Sequence, residues 1–477
     1  MLFVALAPGL VRTDAAAAGN PAPLAELMPA LRAGGVAAVS PSGVLGDPTG
    51  ASAEEGERLL AAMAARLRAS WRGREPPPPE DGGSRPSHPG RRWDAERVAD
   101  PMLPAYGHRS LAEVLPALLA ALGVPGAGEP ALPIGPARAV GLLLVDGLGS
   151  DLLRAHAADA PFLSSMGEAG PLTVGFPSST SISLASLGTG LPPGAHGMLG
   201  ISFRAGPGDM LDTLRWVTPG AKPTDLRRRF PPEEVQPHTT AFERAEAAGV
   251  EVTVVSKAEF GGSGLTRAAL RGGRFVGTYA LGDLAAELVS ALAGPLVRLC
   301  YAYHADLDAV GHLHGPGSLP WRLQLAQIDR LVQMVVELLP SDAMLVVTGD
   351  HGMVRVDNVV DADREPVLQE GVALLGGDPR ARHVYVRDGA RDDVLAAWRA
   401  RLGDGAWVVP GEQAIAEGWF GPVDDGMRAR IGDVVAAARD TTAIVRTEVE
   451  PVISRLPGQH GSLTAAEQRV PLLVARG

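Results

Sequence analysis

Two apolar runs that each lead into an aspartate constrain this chain more than any other feature. Ala139 to Val145 is unbroken apolar sequence, preceded by Pro136 and followed by Asp146-Gly147. Ala343 to Val347 is the second run, and it leads into Thr-Gly-Asp350-His351-Gly-Met. Short continuous apolar runs bounded by turn residues are the pattern of strands buried on both faces, as in a parallel sheet covered by helices. Open α/β sheets bind ligands outside the carboxyl ends of their strands, which is where Asp146, Asp350 and His351 fall. An Asp-Gly turn explains Asp146 alone equally well. Adjacent Asp-His in a glycine-bracketed turn is a stronger sign than either residue by itself.

The stretch from Gly175 to Gly197, GFPSSTSISLASLGTGLPPGAHG, carries hydroxyls where a helix can begin after Pro177. A helix N-terminus attracts anions through its free N–H groups and dipole. The small residues after Ser181 predict a helix packed closely against a neighbour. A further strand is expected over Val297 to Tyr303, then YAYHADLDAVGHLHG from Tyr301 to Gly315. Asp308 and His312, four apart, can face one cation if this segment is helical. His304, Asp306 and His314 are rival candidates, and local spacing does not choose among them. Helices are predicted from Ser110 to Leu122 and from Ser318 to Leu339. The second has apolar steps of four and three from Trp321 to Leu339. Gln459-His460-Gly461 precedes a last strand-like run, Val470 to Ala475.

At 477 residues the length suggests about two to four domains, or one large α/β domain filling most of it. The net charge of -11, with no dense basic run, argues against a nucleic-acid polymer as partner. The single cysteine, Cys300, excludes an intrachain disulfide and a cysteine-based zinc site, and its apolar surroundings predict a buried structural thiol. No segment approaches the roughly 20 apolar residues of a membrane span. The opening MLFVALAPGLV lacks a basic start and is broken by Pro8, so it does not read as a signal peptide. The expectation is a soluble cytoplasmic protein without membrane association.

The segment before residue 105 reads differently. Ser52 and Glu55 form a capping box ahead of a helix over Leu59 to Leu67. Residues 73–104 hold Pro76 to Pro79, Gly82, Gly83, Pro86 and Pro89, the composition of a linker. VSPSGVLGDPTGASAEEGERLL, with LAELMPALRAGGV before it, resembles the C-terminal end of the creatininase (creatinine amidohydrolase) family. The resemblance covers about 70 residues. A remnant of that length, over 1–72, carries no amidohydrolase activity with it.

From Gly141 to Gly461 five motifs occur in order: LLLVDGLG, FPSSTSISLASLGTGLPPGAHG, DAVGH with HGP after it, TGDHGM and QHG. Together they resemble the type I phosphodiesterase/nucleotide pyrophosphatase branch of the alkaline phosphatase superfamily, over residues 105–477. The resemblance implies an α/β fold: a three-layer α/β/α sandwich with a mostly parallel central sheet and an inserted cap region, near 354–446. It implies Thr180 as nucleophile in the F-P-S-x-T context, forming a covalent phospho-threonine. Asp146, Asp350 and His351 would hold one metal ion, which also meets the Thr180 oxygen. Asp308, His312 and His460 would hold the second. Two divalent ions, zinc by the mixed oxygen and nitrogen ligands, suit phosphoryl transfer when roughly 4 Å apart. The substrate implied is a small phosphodiester or phosphomonoester.

One position departs from the family. Nucleotide pyrophosphatases of the eukaryotic type carry asparagine shortly after the His-Gly matching His196-Gly197, and here the segment is MLGISFRAG with Ile201. Arg204 is the nearest cationic candidate for contacting the phosphate, and Lys257, Arg267 and Arg271 are further candidates for an anionic group. A phosphomutase of the same superfamily and a non-catalytic binding protein are the alternatives. A sulfatase is disfavoured, because no C/S-x-P-x-R context surrounds Thr180.

Overall fold

In the computed structural model, residues 100–477 are described continuously, together with scattered residues between Ala18 and Arg58. The chain divides into two compact units, Met1–Asp94 and Ala95–Gly477. Glu55 of the expected capping box, the helix over Leu59 to Leu67 and most of the 73–104 linker lie outside the described residues.

In the second unit the elements that position the site are, in chain order, helix α1 (Val114–Ala121), strand β1 (Ala139–Val145), α2 (Thr180–Thr189) and β2 (Glu251–Lys257). They continue with α3 (Gly264–Ala269), β3 (Arg274–Thr278), α4 (Leu281–Leu292), β4 (Arg298–His304) and α5 (Asp306–His314). The last three are α6 (Leu319–Glu337), β5 (Ala343–Gly349) and β6 (Leu472–Arg476). The predicted helix from Ser110 begins as a single tight turn, Leu111–Glu113, because Ser110 and Glu113 cap each other reciprocally.

The central sheet has seven strands in the order Gly167–Glu168, β6, β5, β1, β4, β2, β3. The five strands from β5 to β3 are parallel. β6 runs antiparallel along β5 and supports that edge. Val145 of β1 pairs with Gly349 of β5 and His304 of β4, so three neighbouring strands end at one level. Asp146, the Asp350-His351 turn and α5 therefore leave the sheet side by side.

Alternation along β1 divides the interior into two cores, as the period of a strand requires. Val140, Leu142 and Leu144 face a core shared with α1 and α2. Leu143 and Val145 face the other, filled by Leu284 and Leu288 of α4 and by Trp321, Leu325 and Ile328 of α6. The result is a three-layer α/β/α sandwich. A third core belongs to a four-stranded antiparallel sheet, Val372–Asp378, Ala381–Val386, Val434–Ala438 and Ala406–Pro410 in spatial order. Trp398 of the helix Arg391–Leu402 is buried in it. Among the described residues no helix is long and apolar enough to cross a membrane.

Candidate active site

Asp146 and Asp350-His351 meet because β1 and β5 end together. The Gly147 N–H donates to Asp350 Oδ1 at 2.9 Å. Gly147 has φ +76°, and a Cβ there would approach the Asp308 Cα to 3.1 Å, so this turn needs glycine on both counts. His351 Nε2 lies 3.4 Å from Asp146 Oδ1 and 3.4 Å from Asp350 Oδ2. Thr180 is the first residue of α2. Its Oγ1 is 3.2 Å from His351 Nε2 and 3.5 Å from Asp146 Oδ2. One turn further on, Ser183 Oγ donates to the Asp350 carbonyl at 2.6 Å and pins α2 to the turn that carries two of these side chains.

The second cluster starts on α5. Asp308 and His312 stand one helical turn apart, with His312 Nε2 at 3.3 Å from Asp308 Oδ2. His460 arrives from the C-terminal segment, its Nε2 3.8 Å from Asp308 Oδ1 and 3.1 Å from His312 Nε2. The His460 ring stacks on His351 with centroids 3.5 Å apart and planes 13° from parallel, which joins the two clusters.

Both clusters fit a metal ion. In each, the potential ligand atoms lie within 4.8 Å of one another. Asp146 Oδ1, Asp350 Oδ2 and Asp308 Oδ1 are buried with no hydrogen-bond partner, an expensive state for a carboxylate without a cation. The Nδ1 atoms of His312, His460 and His351 sit 2.7, 2.9 and 3.0 Å from the carbonyls of Gly458, Ser178 and Gly352. A carbonyl only accepts, so each Nδ1 carries a proton, and Nε2 is the ring atom turned to the cluster, a lone pair in the neutral ring. Burial, reinforced by the Asp350 and Asp308 carboxylates, pushes Asp146 well above the usual carboxylate range. Burial and the neighbouring imidazoles His351 and His312 hold His460 well below the usual histidine value, and therefore neutral. A dry site dense in carboxylates and imidazoles is one that a divalent cation relieves.

All seven residues expected at the centre (Asp146, Thr180, Asp308, His312, Asp350, His351 and His460) are brought together. The rival ligands are not. His304 is the last residue of β4, with Nε2 3.1 Å from the Gln324 amide nitrogen. Asp306 pairs with Lys257, and His314 is exposed. Arg204 is not delivered to the clusters: Nε and Nη2 donate to the Ala429 carbonyl at 3.0 and 2.8 Å, and the guanidinium lies over the Tyr385 ring. The other cations considered for an anionic group are also engaged. Arg267 is paired with Glu233, and Arg271 Nη2 donates to the His238 carbonyl at 2.7 Å. Cys300 is buried, and burial pushes its thiol up, away from reactivity.

Tyr303 escaped the sequence reading. Its hydroxyl donates to Asp146 Oδ2, the oxygen that also faces Thr180. A polar ring near the carboxyl end of an otherwise apolar strand was the signal available. Ser179 behaves differently from a usual helix cap: its buried hydroxyl makes no capping bond and instead faces the Asp378 carboxylate.

The layers and sheet order are those of an alkaline phosphatase-like α/β fold. The chain belongs to the type I phosphodiesterase / nucleotide pyrophosphatase family, whose model matches residues 140–463. The creatinine amidohydrolase model matches residues 2–70. Murine ectonucleotide pyrophosphatase / phosphodiesterase 5 superposes with a TM-score of 0.54 at 18% identity, covering 70% of this chain and 87% of that one. Phosphonoacetate hydrolase from Sinorhizobium meliloti 1021 gives 0.55 at 22% identity, covering 71% and 90%. The mycofactocin precursor peptide peptidase of Mycobacterium ulcerans is 66% identical over 58 residues, 12% of this chain and 23% of the relative. The chain thus spans about a quarter of the length of the first curated relatives it matches.

Proposed function

We propose that this protein hydrolyses small phosphodiesters or phosphomonoesters through a covalent phospho-threonine on Thr180, at a site holding two divalent metal ions, with zinc the preferred ion. The observation that carries this reading is the placement of Thr180 Oγ1, 3.2 Å from His351 Nε2 at the head of a ten-residue helix. Asp146, Asp350 and His351 would hold the ion beside Thr180, and Asp308, His312 and His460 the other. Bound there, the ions supply the charge that makes a threonine hydroxyl nucleophilic and that neutralises phosphoryl oxygens.

The chain's own residues do the rest. Thr180 Oγ1 bonds to phosphorus and the ester oxygen departs. Water then cleaves the phospho-threonine. The first N–H groups of α2 lack intrahelical acceptors and are available to a phosphoryl oxygen. Tyr303 donates to Asp146 and holds its carboxylate in place toward Thr180. Support for a small phosphorus-containing anion comes from the neighbouring structures: the murine protein is solved with AMP, and the bacterial hydrolase with phosphonoacetate.

The test is turnover of bis-p-nitrophenyl phosphate against p-nitrophenyl phosphate by the zinc-loaded chain, before and after chelation. Thr180→Ala is expected to reduce kcat on the order of 10³-fold or more. If neither ester is hydrolysed, or the Thr180→Ala rate equals the parent's, the reading fails.

A further inference from the structure

Every hydrogen-bonding group of Ser178 points to one short piece of chain, residues 460–462. Its N–H donates to the Gly461 carbonyl at 3.0 Å, and its carbonyl accepts from His460 Nδ1 at 2.9 Å. Its hydroxyl works in both directions, accepting from the Gly461 N–H at 3.2 Å and donating to the Ser462 carbonyl at 2.9 Å. Ser178 is 0% exposed, so no solvent stands ready to replace a bond that is lost.

Both sides of this contact lead directly into the site. Two residues after Ser178 stands Thr180, the first residue of α2. On the other side His460 turns Nε2 toward His312 Nε2 at 3.1 Å and lays its ring on His351. Before His460 the chain is held in a ladder, with Gln459 paired to Val354. After it the chain bends at Gly461, where φ is +136° and a Cβ would come within 3.0 Å of the Asp378 Cβ, so only glycine fits. The two sides of that bend are fastened unequally. The Ser462 carbonyl also accepts from Gln468 Nε2 at 3.0 Å, whereas the Gly461 N–H has the Ser178 hydroxyl as its acceptor.

We propose that Ser178 is a positioning residue: its hydroxyl pins the bend after His460, keeps its own carbonyl on His460 Nδ1, and so sets where His460 Nε2 stands relative to Thr180. This role presupposes the two-metal hydrolase reading and adds a residue to it. The hydroxyl is no second nucleophile, because its proton is committed to the Ser462 carbonyl and both its neighbours are backbone groups. An imidazole held at Nδ1 by a fixed acceptor presents Nε2 in one direction, and loosening such a partner weakens metal binding by about 10–100-fold.

Zinc affinity of the full chain, read by competition with a chromophoric chelator, tests this role apart from turnover. The parent is expected to bind two ions. Ser178→Ala should keep one at the parent's affinity and bind the other about tenfold or more weakly, and kcat for bis-p-nitrophenyl phosphate should fall with it. Ser178→Thr keeps the oxygen and should bind both ions as the parent does. In the His460→Ala background, adding Ser178→Ala should change neither the affinity for the remaining ion nor kcat by more than about twofold, because the serine acts through that histidine. A general weakening of the fold would lower both backgrounds alike. Undiminished affinity for both ions in Ser178→Ala, a threonine variant as weak as the alanine one, or a full further loss in the His460→Ala background each overturns the role of Ser178 and leaves the two-metal reading standing. A parent that binds no second ion refutes that reading and the role of Ser178 with it.

Discussion

His312 Nε2 and His460 Nε2 face each other at 3.1 Å, while the Nδ1 of each ring sits on a backbone carbonyl. In neutral rings both facing nitrogens are lone pairs, and two acceptors at that distance repel unless a cation lies between them. Asp308, with an unpartnered buried oxygen beside them, completes the set. His460→Ala is expected to remove one of two divalent ions per chain by elemental analysis and to lower phosphoesterase activity by about 10²-fold or more. Chelation of the parent should lower its melting temperature, and returning the metal should restore it, because an ion bound only by the folded state stabilises that state. A full metal complement in His460→Ala would refute the assignment.

The close packing of α2 makes a second expectation. A Cβ on Gly188 would fall 1.8 Å from the Ala269 carbonyl oxygen on α3, a backbone atom that cannot step aside. Glycine to alanine within a helix ordinarily adds up to about 1 kcal/mol of stability. Here overpacking by about 1–3 kcal/mol or more reverses that sign. Gly188→Ala should lower the urea midpoint. It should also reduce kcat, because Thr180 stands at the far end of the displaced helix. An unchanged or raised midpoint would show that the two helices separate freely.

These elements were legible in the sequence to different degrees, and for physical reasons. The strands leading to Asp146 and Asp350 announce themselves because a strand covered on both faces must be apolar at every position, and glycine ends it. The small residues of α2 announce close packing, though not that α3 is the neighbour. Choosing His312 over His304 was beyond local spacing, since it depends on where β4 stops and α5 begins. Lys257, Arg267 and Arg271 were visible as charges, but their partners Asp306, Glu233 and the His238 carbonyl are fixed by the fold. Tyr303 and Asp378 were hidden, because a lone polar residue in a strand looks the same whether or not it faces a site.

Arg380 and Glu467 are the extreme case, since 86 intervening residues conceal a pair with both side chains 0% exposed. Arg380 Nε and Nη2 donate to the two Glu467 oxygens at 3.0 and 2.6 Å. Glu467 also accepts from the Ser462 N–H at 3.0 Å, and its carbonyl accepts from the Gly352 N–H at 2.9 Å. The pair therefore fastens the segments that carry His460 and His351. Glu467→Ala leaves a buried guanidinium uncompensated, and chemical denaturation should show a loss of about 3–5 kcal/mol. Arg380→Met with Glu467→Met should recover most of that loss, since the charge is then absent from both sides. A Glu467→Ala variant as stable as the parent would exclude this role.

Asp378 gives a pH dependence with a definite sign. The residue is fully buried, and burial pushes it up to about 7. The Ser179 hydroxyl, Arg382 and the Ile201 N–H pull the other way without cancelling that effect, and Glu450 adds to it. In the unfolded chain an aspartate titrates at about 3.9. Between these two values the folded state binds one more proton than the unfolded state, so stability falls as pH rises through the window. The contribution is complete below pH 4 and lost above pH 7, and three pH units correspond to about 4 kcal/mol. Asp378→Asn keeps the shape and removes the charge. Its urea midpoint relative to the parent should therefore rise from pH 5 to about pH 7 and level off above that, both measured with the same chelator present. A parallel pair of profiles would mean that Asp378 is already ionised at pH 5, held there by Arg382.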